Sequence, residues 1–182
     1  ESYAGAKSFF RLKEVVENMT QIEYMLPTHQ GRASERILFQ VIGGKGKVIP
    51  NNNHFDTTRA NIEHTGALAV DLVIDEALNP RLIHPFKGNM DLAKLEACFQ
   101  KYGAENIPAV FLTVTNNSGG GQPVSLENME QVKKICDKYQ TPLFLDACRF
   151  AENAMFIKLR EAKYKDWDIA DIVRKMFSCV AG

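Results

Sequence analysis

Phe144-Leu145-Asp146-Ala147-Cys148-Arg149, preceded by Pro142-Leu143, carries the most information in this chain. The apolar run Pro142 to Leu145 predicts a buried strand. It ends on an acid, and a base follows three residues later. In open α/β sheets, ligands sit outside the carboxyl ends of the strands. A carboxylate held there, partly shielded from water, calls for a positive partner, and a protonated pyridine nitrogen is one. The ring of pyridoxal phosphate acts as an electron sink while that nitrogen keeps its proton. Asp146 is therefore a candidate for holding the proton, and Arg149 for meeting the ring's phenolic oxygen. An acid at a strand end is also common for structural reasons alone, and that reading stands beside the first.

Outward from this stretch, helical and strand patterns alternate, which predicts an α/β layer architecture. Phe9, Leu12, Val15, Val16 and Met19 give helical spacing over residues 6–19. A second helix follows Thr28 to Arg32, with Ile37, Leu38, Val41 and Ile42 as its apolar face and Gly43-Gly44 as its stop. Val48-Ile49 reads as a short strand before an asparagine turn at residues 51–53, and residues 68–74 and 109–115 read as further strands. Helices are expected over residues 91–102, capped by Asp91, and over 125–139, capped by Ser125 with Asn128 where a capping box has Glu. Two more close the chain, over about 152–163 and 168–179. No repeat, low-complexity segment or linker is visible, so the chain reads as one unit.

Composition narrows the function. With 182 residues and 45% apolar content the chain can bury one sizeable core. Its 22 basic and 22 acidic residues cancel, which argues against a nucleic-acid partner. No apolar stretch reaches the length of a membrane span, and no signal peptide opens the chain, so no membrane partner is expected. The four cysteines (Cys98, Cys136, Cys148, Cys179) lack zinc-type spacing and read as reduced thiols of a cytoplasmic protein. The start at Glu1 without Met and the stop at Gly182 suggest a piece of something longer.

Three loops are candidates to join Asp146. Thr28-His29-Gln30-Gly31-Arg32 precedes a helix, where free backbone N–H groups and a positive dipole end suit an anion such as phosphate. Asn53 to Arg59 follows a short strand; Phe55 there suits either stacking on a flat ring or the core, and His54 and Asp56 either chemistry or the surface. Thr115-Asn116-Asn117-Ser118-Gly119-Gly120-Gly121-Gln122-Pro123 is a glycine-rich turn in which Asn117 can donate to a ring oxygen. It lacks the Gly-Lys-Ser/Thr ending of a P-loop and the glycine spacing of a dinucleotide fingerprint, so a nucleotide-binding domain is a poor reading.

These stretches occur together and in order. Tyr3-Ala4-Gly5, Pro27 to Arg32, Phe55-Asp56-Thr57-Thr58, Gly120 to Ser125 and Arg149-Phe150-Ala151-Glu152-Asn153-Ala154 resemble the β-eliminating lyases, the family of tryptophanase and tyrosine phenol-lyase. Tyr164-Lys165-Asp166-Trp167 looks like the tryptophanase branch, and the resemblance covers essentially the whole chain. It implies a fold of the aspartate-aminotransferase type (fold type I), of which residues 1–182 would form an incomplete large domain with a mostly parallel sheet flanked by helices. It implies pyridoxal 5'-phosphate as cofactor and a potassium ion as a second. By resemblance, Gln30, Gly31 and Arg32 sit on the phosphate side, Phe55 stacks on the ring, Asn117 and Arg149 meet the phenolic oxygen, and Asp146 partners the ring nitrogen. Tyr3 matches a general acid for the leaving group, and Glu1 a carboxylate on the monovalent cation.

Asp56 matches the tryptophan-cleaving branch, in which a carboxylate can meet an indole N–H; tyrosine phenol-lyases place Thr there. The resemblance thus implies β-elimination of L-tryptophan to indole, pyruvate and ammonia by a cytoplasmic homotetramer. L-Tyrosine cleavage to phenol is the alternative, and a non-catalytic fragment or binding domain is the reading from another class. The family's cofactor lysine, in a Ser-X-Lys-Lys type motif, is not found here. Lys165 and Lys175 read as surface residues, so the 182-residue piece is expected to be inactive alone.

Overall fold

Four short apolar runs become strands, and the segments between them become helices, because each strand needs both faces covered. The computed structural model describes residues 5–182. The strands are β1 (Val48–Asn51), β2 (Leu68–Asp71), β3 (Val110–Thr113) and β4 (Leu143–Asp146). All pair in parallel, in the order β2-β1-β3-β4. The helices are α1 (Lys7–Thr20), α2 (Gly31–Ile42), α3 (Asp56–His64), α4 (Leu92–Tyr102), α5 (Leu126–Lys138), α6 (Phe150–Arg160) and α7 (Ile169–Phe177).

Alternation along each strand sorts the side chains into two cores. Val48, Val110, Leu112 and Leu143 point into the larger one, with Leu95 and Phe99 of α4, Met129 and Val132 of α5, Ile157 of α6 and Ile172 and Met176 of α7. Ile49, Ala69 and Phe111 point into the smaller one, with Phe39 of α2 and Ile62 of α3. Leu112 is fully buried; truncating such a leucine to alanine costs about 2–5 kcal/mol through lost burial and the cavity left behind.

The helix starts follow capping chemistry where it is present. Asp91 accepts from the N–H groups of Ala93 and Lys94 at 2.9 and 3.0 Å. Ser125 Oγ accepts from Asn128 N–H at 3.1 Å. Asn128 replaces the usual Glu because its side chain is used elsewhere: its Oδ1 accepts from Met90 N–H and its Nδ2 donates to Met90 C=O, each at 2.9 Å. Two other buried asparagines repeat this device. Asn52 grips both backbone groups of Thr113 at 2.9 and 3.1 Å, and Asn153 grips both of Val124 at 2.9 Å. Each amide acts as a one-residue strand, satisfying a buried N–H and C=O together.

Several expectations need correction. The segment from Asp56 onward is helical, although it read as a loop; its nine residues bury only Thr58 and Ile62, too few for a visible helical period. On α2 the buried residue is Phe39, whereas Ile37 and Val41 are exposed. They flank a groove beside β4 with Leu38, Phe111 and Phe144. Helix α6 begins at Phe150 rather than near Glu152. After α7 the chain returns along β4: Ala181 N–H donates to Leu143 C=O and Leu145 N–H to Gly182 C=O, both at 2.8 Å. No helix among the described residues is long and apolar enough to cross a membrane.

Candidate active site

Parallel pairing puts every strand's carboxyl end at one edge of the sheet, so the connections after β1, β3 and β4 meet there. They enclose a cavity of about 580 Å³ together with the start of α2. Gln30, Gly31, Arg32, Phe55, Asn117, Asp146 and Arg149, the seven cofactor-side candidates, all line it. Glu35, Thr57, Thr113 and Cys148 line it as well.

One end of the cavity suits an anion. Gln30 is the extended N-cap of α2, yet among the described residues no side-chain cap bond is made to this helix and no acid lies in its first turn. Its leading N–H groups and dipole end are therefore left for another partner, beside the Arg32 guanidinium. A Cβ built on Gly31 would meet nothing within 4 Å. The glycine is thus not required by packing, and the space above it is open.

The other end suits a cation. Asp146 closes β4 directly opposite Thr113 of β3. Burial pushes its carboxyl above the usual aspartate range; the backbone N–H and thiol of Cys148 and the Thr113 hydroxyl pull it down, and the nearby Glu35 charge pushes it further up. Among the described residues Asp146 has no ion-pair partner. A desolvated carboxylate without a cation is the arrangement that gains most from a positive ligand. Glu35 is held against α3, accepting from the Thr58 hydroxyl at 2.5 Å and from Asn61 Nδ2 at 3.1 Å.

Between the two ends, Arg149 Nη2 donates to Asn117 Oδ1 at 2.8 Å. With its oxygen occupied, the Asn117 amide presents its N–H₂ group as a donor. Two backbone bonds fix this corner: Arg149 N–H to Val114 C=O at 2.9 Å, and Val114 N–H to Asp146 C=O at 3.0 Å. The glycine turn is closed by Asn116 N–H to Gln122 C=O at 2.7 Å, with Gly120 and Gly121 at φ +82° and +74° that other residues rarely adopt. Phe55, half-buried, supplies an aromatic wall. The set offers an anion cup, an aromatic face, two donors and a half-buried carboxylate, which together match a flat cationic ring bearing an anionic tail.

The remaining candidates are placed differently. Asp56 is exposed, does not line the cavity, and turns its Oδ1 back to accept from Thr57 N–H at 2.6 Å. Tyr3 and Glu1 lie outside the described residues. No group of three or more metal-ligating side chains occurs among the described residues. Sequence reasoning missed Glu35 because it sits within an apolar helical pattern, and Cys148 and Thr113 because each was read only as strand or strand flank. Spacing carried a signal for one of these: Glu35 lies one turn after Gly31 and so shares the end of α2 that faces the cavity.

A sequence model of the beta-eliminating lyases matches residues 1–181. The chain belongs to the beta-eliminating lyase family. Within the family it is 58% identical to a tryptophanase of Salinibacter ruber and 54% identical to one of Rhodobacter capsulatus, in both cases over 100% of this chain. A tyrosine phenol-lyase of Symbiobacterium thermophilum is 45% identical over the same span. The chain covers 38–40% of the length of these beta-eliminating lyases. Among solved structures, an Exiguobacterium protein titled an aromatic amino acid beta-eliminating lyase/threonine aldolase superposes with a TM-score of 0.61 at 11% identity, over 92% of this chain and 43% of that one. An alanine aminotransferase of Pyrococcus furiosus gives 0.58 at 13% identity, over 75% and 33%. The fold is thus the aminotransferase-like type expected for a beta-eliminating lyase, present in part.

Proposed function

We propose that this chain is the cofactor-cradling part of a pyridoxal-phosphate-dependent carbon–carbon lyase that cleaves L-tryptophan to indole, pyruvate and ammonia. The observation that carries the reading is the single cavity that unites the uncapped start of α2, Phe55, the Asn117–Arg149 pair and Asp146. These residues fit pyridoxal phosphate: Gln30, Gly31 and Arg32 for its phosphate, Phe55 for the ring face, Asn117 and Arg149 for the phenolic oxygen, and Asp146 for the ring nitrogen. The cofactor, when bound, supplies an electron sink for charge developing at the substrate's α-carbon. Asp146 holds the proton on the ring nitrogen. Arg149 and Asn117 orient the ring edge, and the α2 start fixes the phosphate so that the ring cannot swing.

Identity to tryptophanases exceeds that to tyrosine phenol-lyases, which supports tryptophan as substrate over tyrosine. Asp56, at the first turn of α3, is assigned to the indole N–H and Tyr3 to protonation of the leaving carbon. Glu1 is assigned to a potassium ion. Residues 1–182 are assigned to an incomplete large domain, with the cofactor lysine and a small domain supplied by the rest of the polypeptide, and the assembly to a cytoplasmic homotetramer. Incubating the intact protein with pyridoxal phosphate, potassium and either amino acid tests this. Indole and pyruvate from tryptophan are expected; phenol from tyrosine without indole would overturn the substrate assignment.

A further inference from the structure

A histidine outside the cavity ties two of its walls together. The His54 side chain is fully shielded from solvent. Its Nδ1–H donates to Asp71 Oδ1 at 2.6 Å, and the same oxygen accepts the His54 backbone N–H at 2.9 Å. Asp71, at the end of β2, also binds Arg59, whose Nη2 donates to Oδ2 at 2.5 Å. Burial pushes the Asp71 carboxyl up, but the His54 bonds and the His54 and Arg59 charges outweigh it and leave it below the usual range, so it accepts as a carboxylate. The third tie on residue 54 is its carbonyl, which accepts from Ser118 Oγ at 2.9 Å. Residue 54 is therefore fixed at its N–H, its ring and its C=O. Its chain neighbour is Phe55, and the chain neighbour of Ser118 is Asn117.

His54 Nε2 is buried with no partner among the described residues. An unmet buried polar atom destabilises a fold. An apolar side chain would fill this space without that cost, but only a side chain with a donor at the Nδ1 position closes on Asp71. The cost is thus tolerated for the Asp71 bond and for the backbone geometry it enforces.

We propose that His54 is a positioning residue: clamped between Asp71 and Ser118, it sets the separation of the Phe55 ring from the Asn117 amide, and so the seat of the cofactor ring. This rests on the reading that the cavity binds pyridoxal phosphate. The test uses the intact protein stripped of cofactor, with His54→Ala, His54→Asn and Ser118→Ala variants. Each is titrated with pyridoxal phosphate by equilibrium dialysis, and the circular dichroism of the bound cofactor band is recorded beside the apoprotein Tm.

His54→Ala is expected to weaken binding about three- to tenfold and to diminish the cofactor's dichroic band. His54→Asn, whose amide nitrogen reaches the Nδ1 position, should recover most of both. Ser118→Ala should alter the band while leaving the apoprotein Tm within a degree or so, since it is an exposed residue. If the wild-type protein binds but both alanine variants bind equally tightly with an unchanged band, the positioning role is wrong. Should His54→Ala fail to fold, an unchanged band and affinity in Ser118→Ala overturns the proposal by itself. A wild-type protein that does not bind pyridoxal phosphate at all refutes instead the function on which the proposal rests.

Discussion

Replacing Asp146 with Asn in the intact protein removes one charge and almost no volume, so it isolates the electrostatic role of this residue. Two unit charges about 4 Å apart at an effective dielectric of about 20 attract by about 4 kcal/mol. Asp146 is already partly desolvated in the apoprotein, so most of its dehydration is not charged again on binding; the ring cation's is. Losing one member of such a shielded pair typically costs about 2–5 kcal/mol. A loss of about 3 kcal/mol corresponds to roughly a hundredfold weaker binding of pyridoxal phosphate, read by equilibrium dialysis of apoprotein. The pH dependence follows from burial, which raises the Asp146 carboxyl. As pH falls through that raised value the carboxyl takes up a proton, wild-type affinity drops, and the gap to the Asn variant closes. For the stability of the apoprotein the sign reverses. A carboxyl whose folded-state value lies above its unfolded one weakens the fold once pH exceeds the unfolded value. The Asn variant should therefore have the higher apoprotein Tm at neutral pH, with the gain shrinking on acidification. Equal affinity of the two proteins across the pH range would refute the charge-pair argument.

Gly31→Ala should leave the apoprotein Tm unchanged or slightly higher, because a Cβ there meets nothing and alanine favours helix, while phosphate competes less well for the site; scanning calorimetry and a phosphate competition titration check both halves. Phe55→Ala should weaken cofactor binding roughly tenfold through the lost ring face, measured by the same dialysis. Ser125→Ala removes the α5 cap and should cost about 1 kcal/mol of stability without moving cofactor affinity, which makes denaturant unfolding of this variant the control for nonspecific damage.

The sheet was legible because β3 and β4 carry unbroken apolar runs, as strands buried on both faces must. The convergence of the loops was legible because parallel strands send their carboxyl ends to one edge, so Phe55, Asn117 and Asp146 shared a side before any distance was known. Capping chemistry at Asp91 and Ser125 marked α4 and α5. Helix α3 was hidden because Asp-Thr-Thr-Arg-Ala-Asn-Ile-Glu-His holds one large apolar residue, Ile62, and its remaining buried position is Thr58. The exposed Ile37 and Val41 misled because periodicity reports an apolar face without saying whether anything covers it. Glu35 and Cys148 were missed for a related reason: lining a cavity is a property of several segments at once. His54 read as a candidate surface residue, and only its bond to Asp71, 17 positions away, shows why a histidine is buried there.

The central claim is that the Asp146 carboxylate keeps the cofactor's ring nitrogen protonated. Nitrogen NMR of the intact protein loaded with ring-labelled pyridoxal phosphate reads that proton directly. A protonated nitrogen at neutral pH that loses its proton signature in Asp146→Asn is the predicted result. A nitrogen that is unprotonated in the wild type, or equally protonated in the variant, contradicts the account.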